Sequence, residues 1–138
     1  MVNKVNINDT LRDSMNLLIS LFQVGDYKKA EILAINISKK FPTDPMCWKI
    51  LGIIYLNTGK FTKALYVNQK ALKLAPNAPD INNNLSVNLN NLGRYEESII
   101  YSKRALEIDI NFVQAYGNLV DSLKATKKYD EAYNYINN

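Results

Sequence analysis

The sequence predicts an all-helical solenoid of antiparallel helix pairs, and two observations carry that expectation. Apolar residues recur three or four apart, as at Ile81, Leu85, Leu89 and Leu92, which is helical spacing. Landmark residues also return every 34 positions. Gly25, Gly59 and Gly93 form one such column, and Tyr27, Phe61, Tyr95 and Tyr129 another. Ala30, Ala64, Ser98 and Ala132 form a third, Leu17, Leu51, Leu85 and Leu119 a fourth, and Pro42 and Pro76 keep the same interval. Several columns sharing one period mark stacked repeats rather than a single closed core.

Each repeat reads as two helices. The first helix stops before a glycine able to take the left-handed conformation that closes a helix C-terminus. An aromatic residue two positions later opens the second helix, and a proline beyond it forbids continuation. The expected helices are 11–24, 27–40, 45–58, 61–74, 79–92, 95–108, 113–126 and 129–138, after a leader at 1–10. The repeats are accordingly 11–44, 45–78, 79–112 and 113–138, the last truncated. Pro45 and Pro79 fall in a first turn, where a missing N–H is harmless. Asp44 is the expected N-cap of the third helix, and Asn111 with Gln114 the expected capping box of the seventh. Small residues at Gly52 and Ser86, facing Ala64, Ala71, Ser98 and Ala105, are expected to let paired helices approach closely.

Composition excludes several kinds of chemistry. The chain has 138 residues, 47% apolar and 22% charged, with a net charge of +4 and no block of basic residues that would mark a nucleic-acid tail. Lysine pairs such as Lys28-Lys29, Lys39-Lys40 and Lys127-Lys128 are expected on solvated faces. There is no histidine, and Cys47 is the single cysteine. A His/Cys zinc site, a histidine-based triad and an internal disulfide are therefore all excluded. No cofactor is expected. The acidic pairs Glu96-Glu97 and Asp130-Glu131 stand at helix N-termini, where they complement the dipole. The N-terminal segment does not read as a signal peptide, and no stretch is long enough to span a bilayer, so a cytoplasmic location is the expectation.

The motif Trp48-x-x-Leu51-Gly52-x-x-Tyr55, followed by Ala64, Ala71 and Pro76, resembles the tetratricopeptide repeat. The second unit departs where an aromatic is usual, at Asn68. The first unit has Ser14 in place of the tryptophan, and the fourth has Lys127 in place of the glycine. The resemblance covers residues 11–138. It implies a right-handed superhelix in which first helices line a concave groove and second helices form the convex back. It also implies a non-catalytic module that binds proteins or peptides. A self-associating scaffold, or the recruitment arm of a larger modifying enzyme, stands as the alternative.

In that family the groove positions of the third unit would be Asp80, Asn83, Asn84, Val87, Asn90 and Asn91. The residue just before the repeated leucine is Asn16, Ile50, Asn84 and Asn118 in the four units. Such a series resembles the asparagine ladder of the repeat region of O-linked N-acetylglucosamine transferases, which holds an extended peptide by its backbone. A primary amide presents a donor beside an acceptor and so matches a peptide unit. The candidate binding residues are therefore Asn16, Asn84, Asn118, Asn83, Asn91, Asn90 and Lys49, with Asn68 and Asn88 outside the groove lining. Asparagine makes up 19 of the 138 residues, so drift in composition is the competing explanation. The dicarboxylate clamp that captures chaperone tails finds Lys49, Ile53, Asn84, Gln114 and Asn118 at its five positions, and only two match. The final helix is expected to run to about residue 142 by the period. The edge near Tyr133 and Ile136 is thus expected either to continue into further chain or to pair with another molecule.

Overall fold

A computed structural model describes the backbone of residues 7–137 and the side chains of 10–137. Among the described residues there are eight helices and no strand. They are α1 (Ile7–Gln23), α2 (Tyr27–Lys40), α3 (Pro45–Asn57), α4 (Phe61–Leu74), α5 (Pro79–Asn91), α6 (Tyr95–Ile108), α7 (Val113–Ala125) and α8 (Tyr129–Asn137). Helix α1 begins four residues before the expected leader boundary; no glycine or proline interrupts 7–10. The rest of the leader lies outside the described residues.

The turn inside each pair is the same four times over. The amide of the residue after the turn glycine donates back across the helix end, Lys60 to the Tyr55 carbonyl (2.8 Å) and Arg94 to that of Leu89 (2.9 Å). Asp26 to Leu21 (3.0 Å) and Lys128 to Leu123 (2.8 Å) complete the set. This bonding needs a left-handed residue just before the donor. Gly25, Gly59 and Gly93 supply it at φ 79°, 70° and 72°, and Lys127 is forced into the same conformation at φ 60°.

Between pairs, Pro45 and Pro79 occupy the first turns of α3 and α5. Asp44 Oδ1 accepts from the Met46 amide at 2.8 Å, as an N-cap should. The capping box expected at α7 is absent. Its N-cap is Phe112 without a side-chain bond, because Asp109 Oδ1 takes the Asn111 amide in a turn one step earlier (2.9 Å).

Adjacent helices pack in chain order. In addition α3 packs directly on α5 and α5 on α7, whereas the second helices α2, α4 and α6 rest on the first helices between them. The first helices are thus gathered on one side and the second helices splayed on the other, which gives the solenoid its concave and convex faces.

One apolar cluster joins units one and two around Leu18, Leu51, Ile54 and Tyr55, and another joins units three and four around Leu119, Leu123 and Ala115. Trp48 is only half-buried at the edge of the first; its indole N–H donates to the Pro42 carbonyl at 2.9 Å. In unit one the repeat register slips. Leu18 is fully buried while Leu17, the residue in the 34-residue column, is 54% exposed. The inward-packed series Met15, Leu18, Phe22 matches Trp48, Leu51, Tyr55 at a spacing of 33. Leu17, Leu18 and Ile19 are three apolar residues in a row, so periodicity alone leaves the face ambiguous by one residue.

Candidate functional site

Helix α5 answers why one helix holds six asparagines. Asn82, Asn83 and Asn88 are buried, at 1%, 7% and 0% exposure, so half of them belong to the interior. Asn82 Nδ2 donates to the Pro76 and Ala78 carbonyls at 3.1 and 2.9 Å. It repeats, 34 residues on, the Trp48 bond to Pro42. Asn88 Nδ2 donates to the Phe61 carbonyl at 2.9 Å, and its Oδ1 accepts from Asn68 Nδ2 at 3.3 Å. Alongside runs a buried hydroxyl chain. Ser86 Oγ bonds both Ser98 Oγ (2.8 Å) and Ser102 Oγ, and Ser122 Oγ lies 3.0 Å from Ser98 Oγ. Among the described residues every buried side-chain nitrogen and oxygen has a partner. A buried polar group costs stability only when it lacks one. A satisfied polar seam therefore lies between the two apolar clusters.

The remaining asparagines of α5 face outward, and their placement sorts the predicted site. Asn90, Asn91 and Asn118 come together with Val87, Tyr95 and Asp121 around a pocket of about 240 Å³ between α5 and α7. Asn84 is half-buried one turn away and makes no side-chain hydrogen bond to any described residue. Asn83 is instead a support: its Oδ1 accepts from Asn118 Nδ2 at 2.7 Å. Asn90 is held at both ends, donating to the Asn118 carbonyl (3.4 Å) and accepting from Ser122 Oγ (2.7 Å). Asn91 Nδ2 donates to the Val87 carbonyl at 2.9 Å.

Two predicted residues are placed elsewhere. Lys49 bridges to Asp80 at 2.7 Å, linking α3 to α5. Asn16 is exposed on α1, but the one-residue slip puts Leu17 where the series runs through Ile50, Asn84 and Asn118. Ile50 is itself buried at 8% exposure. The series thus reads Leu17, Ile50, Asn84, Asn118: apolar over the first two units and amide over the last two. Sequence reasoning missed Asp121 and Tyr95. Asp121 was legible from the period, since it stands 34 residues after Val87. Tyr95 was assigned only to the turn.

Asn68 and Asn88 do lie outside the groove, but they are core groups rather than indifferent ones. Among the described residues no cluster of three His, Cys, Asp or Glu side chains could hold a metal, and no helix is long and apolar enough to cross a membrane. Cys47 is fully buried, and burial pushes its thiol up to about 11.

Helix pairs, the recurring turn and the packing of first helices on one side define an α-solenoid of stacked helix pairs, similar in fold to tetratricopeptide-repeat proteins. The family model for the tetratricopeptide repeat matches residues 79–111, the third unit. The same architecture occurs in solved structures of MamA. That of Desulfovibrio magneticus RS-1, from residue 41 onward, superposes with a TM-score of 0.85 at 18% identity, over 91% of this chain and 71% of that one. That of MSR-1 gives 0.78 at 22% identity, over 91% and 72%. A mutant O-GlcNAc transferase of Thermobaculum terrenum gives 0.81 at 20% identity, over 87% of this chain and 23% of the transferase. No curated protein sequence matches the chain.

Proposed function

We propose that the chain is a non-catalytic binding module whose concave face, on α5 and α7, takes an extended segment of a protein partner. The observation that supports this reading is the pocket lined by Asn90, Asn91, Asn118, Val87, Tyr95 and Asp121. Several of its amide donors are already engaged within the protein, as in Asn118 to Asn83 and Asn91 to Val87. Each of these amides keeps one N–H, so the pocket presents a few donors beside a larger set of acceptors, the Oδ1 atoms of Asn91 and Asn118 and the Asp121 carboxylate. Such a surface suits a ligand that donates, namely backbone N–H groups or a cationic side chain. Asn84 supplies a complete donor–acceptor pair beside it. Binding here is a shortened version of the ladder, confined to units three and four.

The test is selection of peptides from a displayed random library on the immobilised chain, then titration of the selected peptides. Asn84→Ala and Asp121→Ala should each weaken binding several-fold, and peptides rich in Arg or Lys should be enriched. Peptides that bind both variants as tightly as wild type would remove the pocket from consideration.

A second reading is self-association. It is favoured by the apolar face of α8, where Tyr129, Tyr133 and Ile136 are 61%, 67% and 58% exposed. Exposed apolar faces of this kind mark contact surfaces. Sedimentation across a hundredfold range of concentration, with Tyr133→Glu as the variant, separates it from the first reading.

A further inference from the structure

We propose that the convex side carries a second docking site, between α2 and α4, and that its occupant is an acidic amphipathic helix of a partner protein. The cavity there measures about 410 Å³, within the range of roughly 300–1,000 Å³ typical of binding clefts. It exists because α2 and α4 both rest on α3 rather than on each other. Its floor is Trp48, Leu51 and Tyr55 of α3, walled by Ile35 of α2 and Val67 of α4. The Trp48 indole N–H is engaged at the margin with the Pro42 carbonyl, and the Tyr55 hydroxyl stands near the Glu31 carboxylate. What faces the cavity is therefore ring surface. A second cavity, of about 490 Å³, adjoins it through the shared Tyr66, itself 59% exposed.

Charge selects the occupant. Helix α2 carries Lys28, Lys29, Lys39 and Lys40 against Glu31, and α4 carries Lys63, Lys70 and Lys73 against no acid, a net +3 on each. The corresponding helices of units three and four have the opposite sign. On α6, Lys103 and Arg104 stand against Glu96, Glu97 and Glu107, and α8 has Asp130 and Glu131 with no cation. Three lysines elsewhere on this side are paired: Lys60 with Glu31, Lys103 with Glu131 and Lys128 with Glu96. Lys39 and Lys63 at the first cavity, and Lys70 and Lys73 at the second, have no carboxylate partner among the described residues. Lys63 and Lys70 instead stand over the rings of Tyr55 and Tyr66, at 5.8 and 5.4 Å from their centroids. A groove between two helices, with an aromatic floor and a rim of unpaired lysines, matches a helix bearing apolar anchors at i, i+4 and i+7 flanked by Asp and Glu. The apolar floor favours protein over nucleic acid, whose phosphates would engage the rim alone. This site is independent of the concave one.

The probe is a synthetic 16-residue peptide with Leu and Phe at helical spacing and Glu on the flanks, titrated into the full chain labelled with ¹⁵N. Three controls accompany it: Lys in place of Glu, Ser in place of Leu and Phe, and a single-stranded oligonucleotide. The proposal expects shifts at the Trp48 indole and on α2 and α4, with at least tenfold weaker binding to the Lys63→Glu, Lys70→Glu double variant. Both lysines are exposed, so the variant should keep its helical circular dichroism. Lys127→Glu should bind like wild type. Unchanged affinity in the double variant would overturn the proposal, as would shifts confined to α5 and α7. Equal binding of the Ser-substituted peptide would reduce the surface to unspecific charge and overturn it too. Tighter binding of the oligonucleotide would assign the face to nucleic acid. Self-association that disappears in the double variant would assign it to a second copy of this chain.

Discussion

Asn68 reaches from α4 into the space that Gly52 of α3 leaves open. A Cβ built on Gly52 would overlap Asn68 Oδ1 and lie 2.9 Å from its Cγ, while Asn68 Nδ2 is held by Asn88 Oδ1 at 3.3 Å. A missing side chain in one helix thus permits a polar bridge between the next two.

Gly52→Ala should therefore destabilise, although alanine favours helix over glycine by about 1 kcal/mol. The methyl displaces the amide and breaks its bond to Asn88, and overfilling of this kind costs about 1–3 kcal/mol. Asn68→Ala alone leaves Asn88 Oδ1 buried without its donor, also about 1–3 kcal/mol. In the double variant the methyl occupies space the amide has vacated, so the two losses should overlap by about 1 kcal/mol or more. Urea denaturation of the four proteins measures the coupling. Strict additivity would mean that the two residues do not interact.

Lys127 holds a left-handed conformation that its three counterparts fill with glycine. An L-residue there costs roughly 1–2 kcal/mol. Lys127→Gly should raise stability by up to about 1 kcal/mol, and Gly93→Ala should lower it by a similar amount. Thermal denaturation followed at 222 nm checks both signs.

The Cys47 thiol should be inert in the folded chain. Burial, reinforced by Asp44, holds its pKa at about 11, so at pH 8 almost none is thiolate, the reactive form. Its Sγ also contacts Met15 Sδ at 3.7 Å. Modification by a thiol-reactive disulfide should proceed only as fast as local or global opening, and become immediate in denaturant. Fast labelling at pH 8 without denaturant would contradict the burial.

How much of this was legible in the sequence varies by residue. Helix ends were, because glycine, proline and a tight loop leave the backbone little choice: seven helix starts fall on their expected residues. The α1 face was not, because Leu17, Leu18 and Ile19 satisfy two helical registers equally and only packing against α2 and α3 selects one. The asparagines were half legible. Their position in the repeat separates Asn84, Asn90 and Asn91 from Asn82 and Asn88. Whether an amide at a given position is free or engaged depends on its neighbours in space. Asn118 is held by Asn83, 35 residues away, and no periodicity announces that bond. The charge division of the convex face could be counted from the sequence, but the cavity it surrounds could not.

Acid should weaken the turns at the starts of α2 and α6. The Glu97 carboxyl lies below its ordinary 4.5, chiefly because the Arg94 guanidinium donates to it through two bonds of 2.7 Å. Asp26 lies below 3.8, chiefly through its bond with the Lys29 side chain and then the Lys29 amide. A folded pKa lowered in this way contributes stability above the unfolded value and loses it as pH falls through the folded one. The window is therefore below about pH 4.5, and both groups are solvent-exposed, so the contribution is small. A carboxyl-detected titration of Glu97 should show a midpoint below 4.5 that returns to it in Arg94→Gln. An unchanged midpoint in that variant would assign the shift to another cause.

Stability and binding should separate along α5 and α7. Asn88→Ala removes the donor to the Phe61 carbonyl and the acceptor for Asn68, both buried, so unfolding should become easier by about 2–3 kcal/mol. Asn118→Ala releases the buried Asn83 Oδ1 and should cost about 1 kcal/mol before any ligand is considered. It is for that reason a poor probe of binding by itself. Asn84→Ala touches no internal bond. Since alanine is the better helix former, its melting temperature should stay level or rise slightly. If the concave face binds an extended segment, the same substitution should nonetheless weaken a selected peptide several-fold, the loss of one net hydrogen bond worth about 0.5–1.5 kcal/mol. Calorimetric titration beside thermal melts of the three variants supplies both axes. Reduced affinity at undiminished stability in Asn84→Ala is the outcome that composition alone cannot produce. Affinity equal to wild type would leave α5 with a structural reason for its buried asparagines and no functional reason for this one.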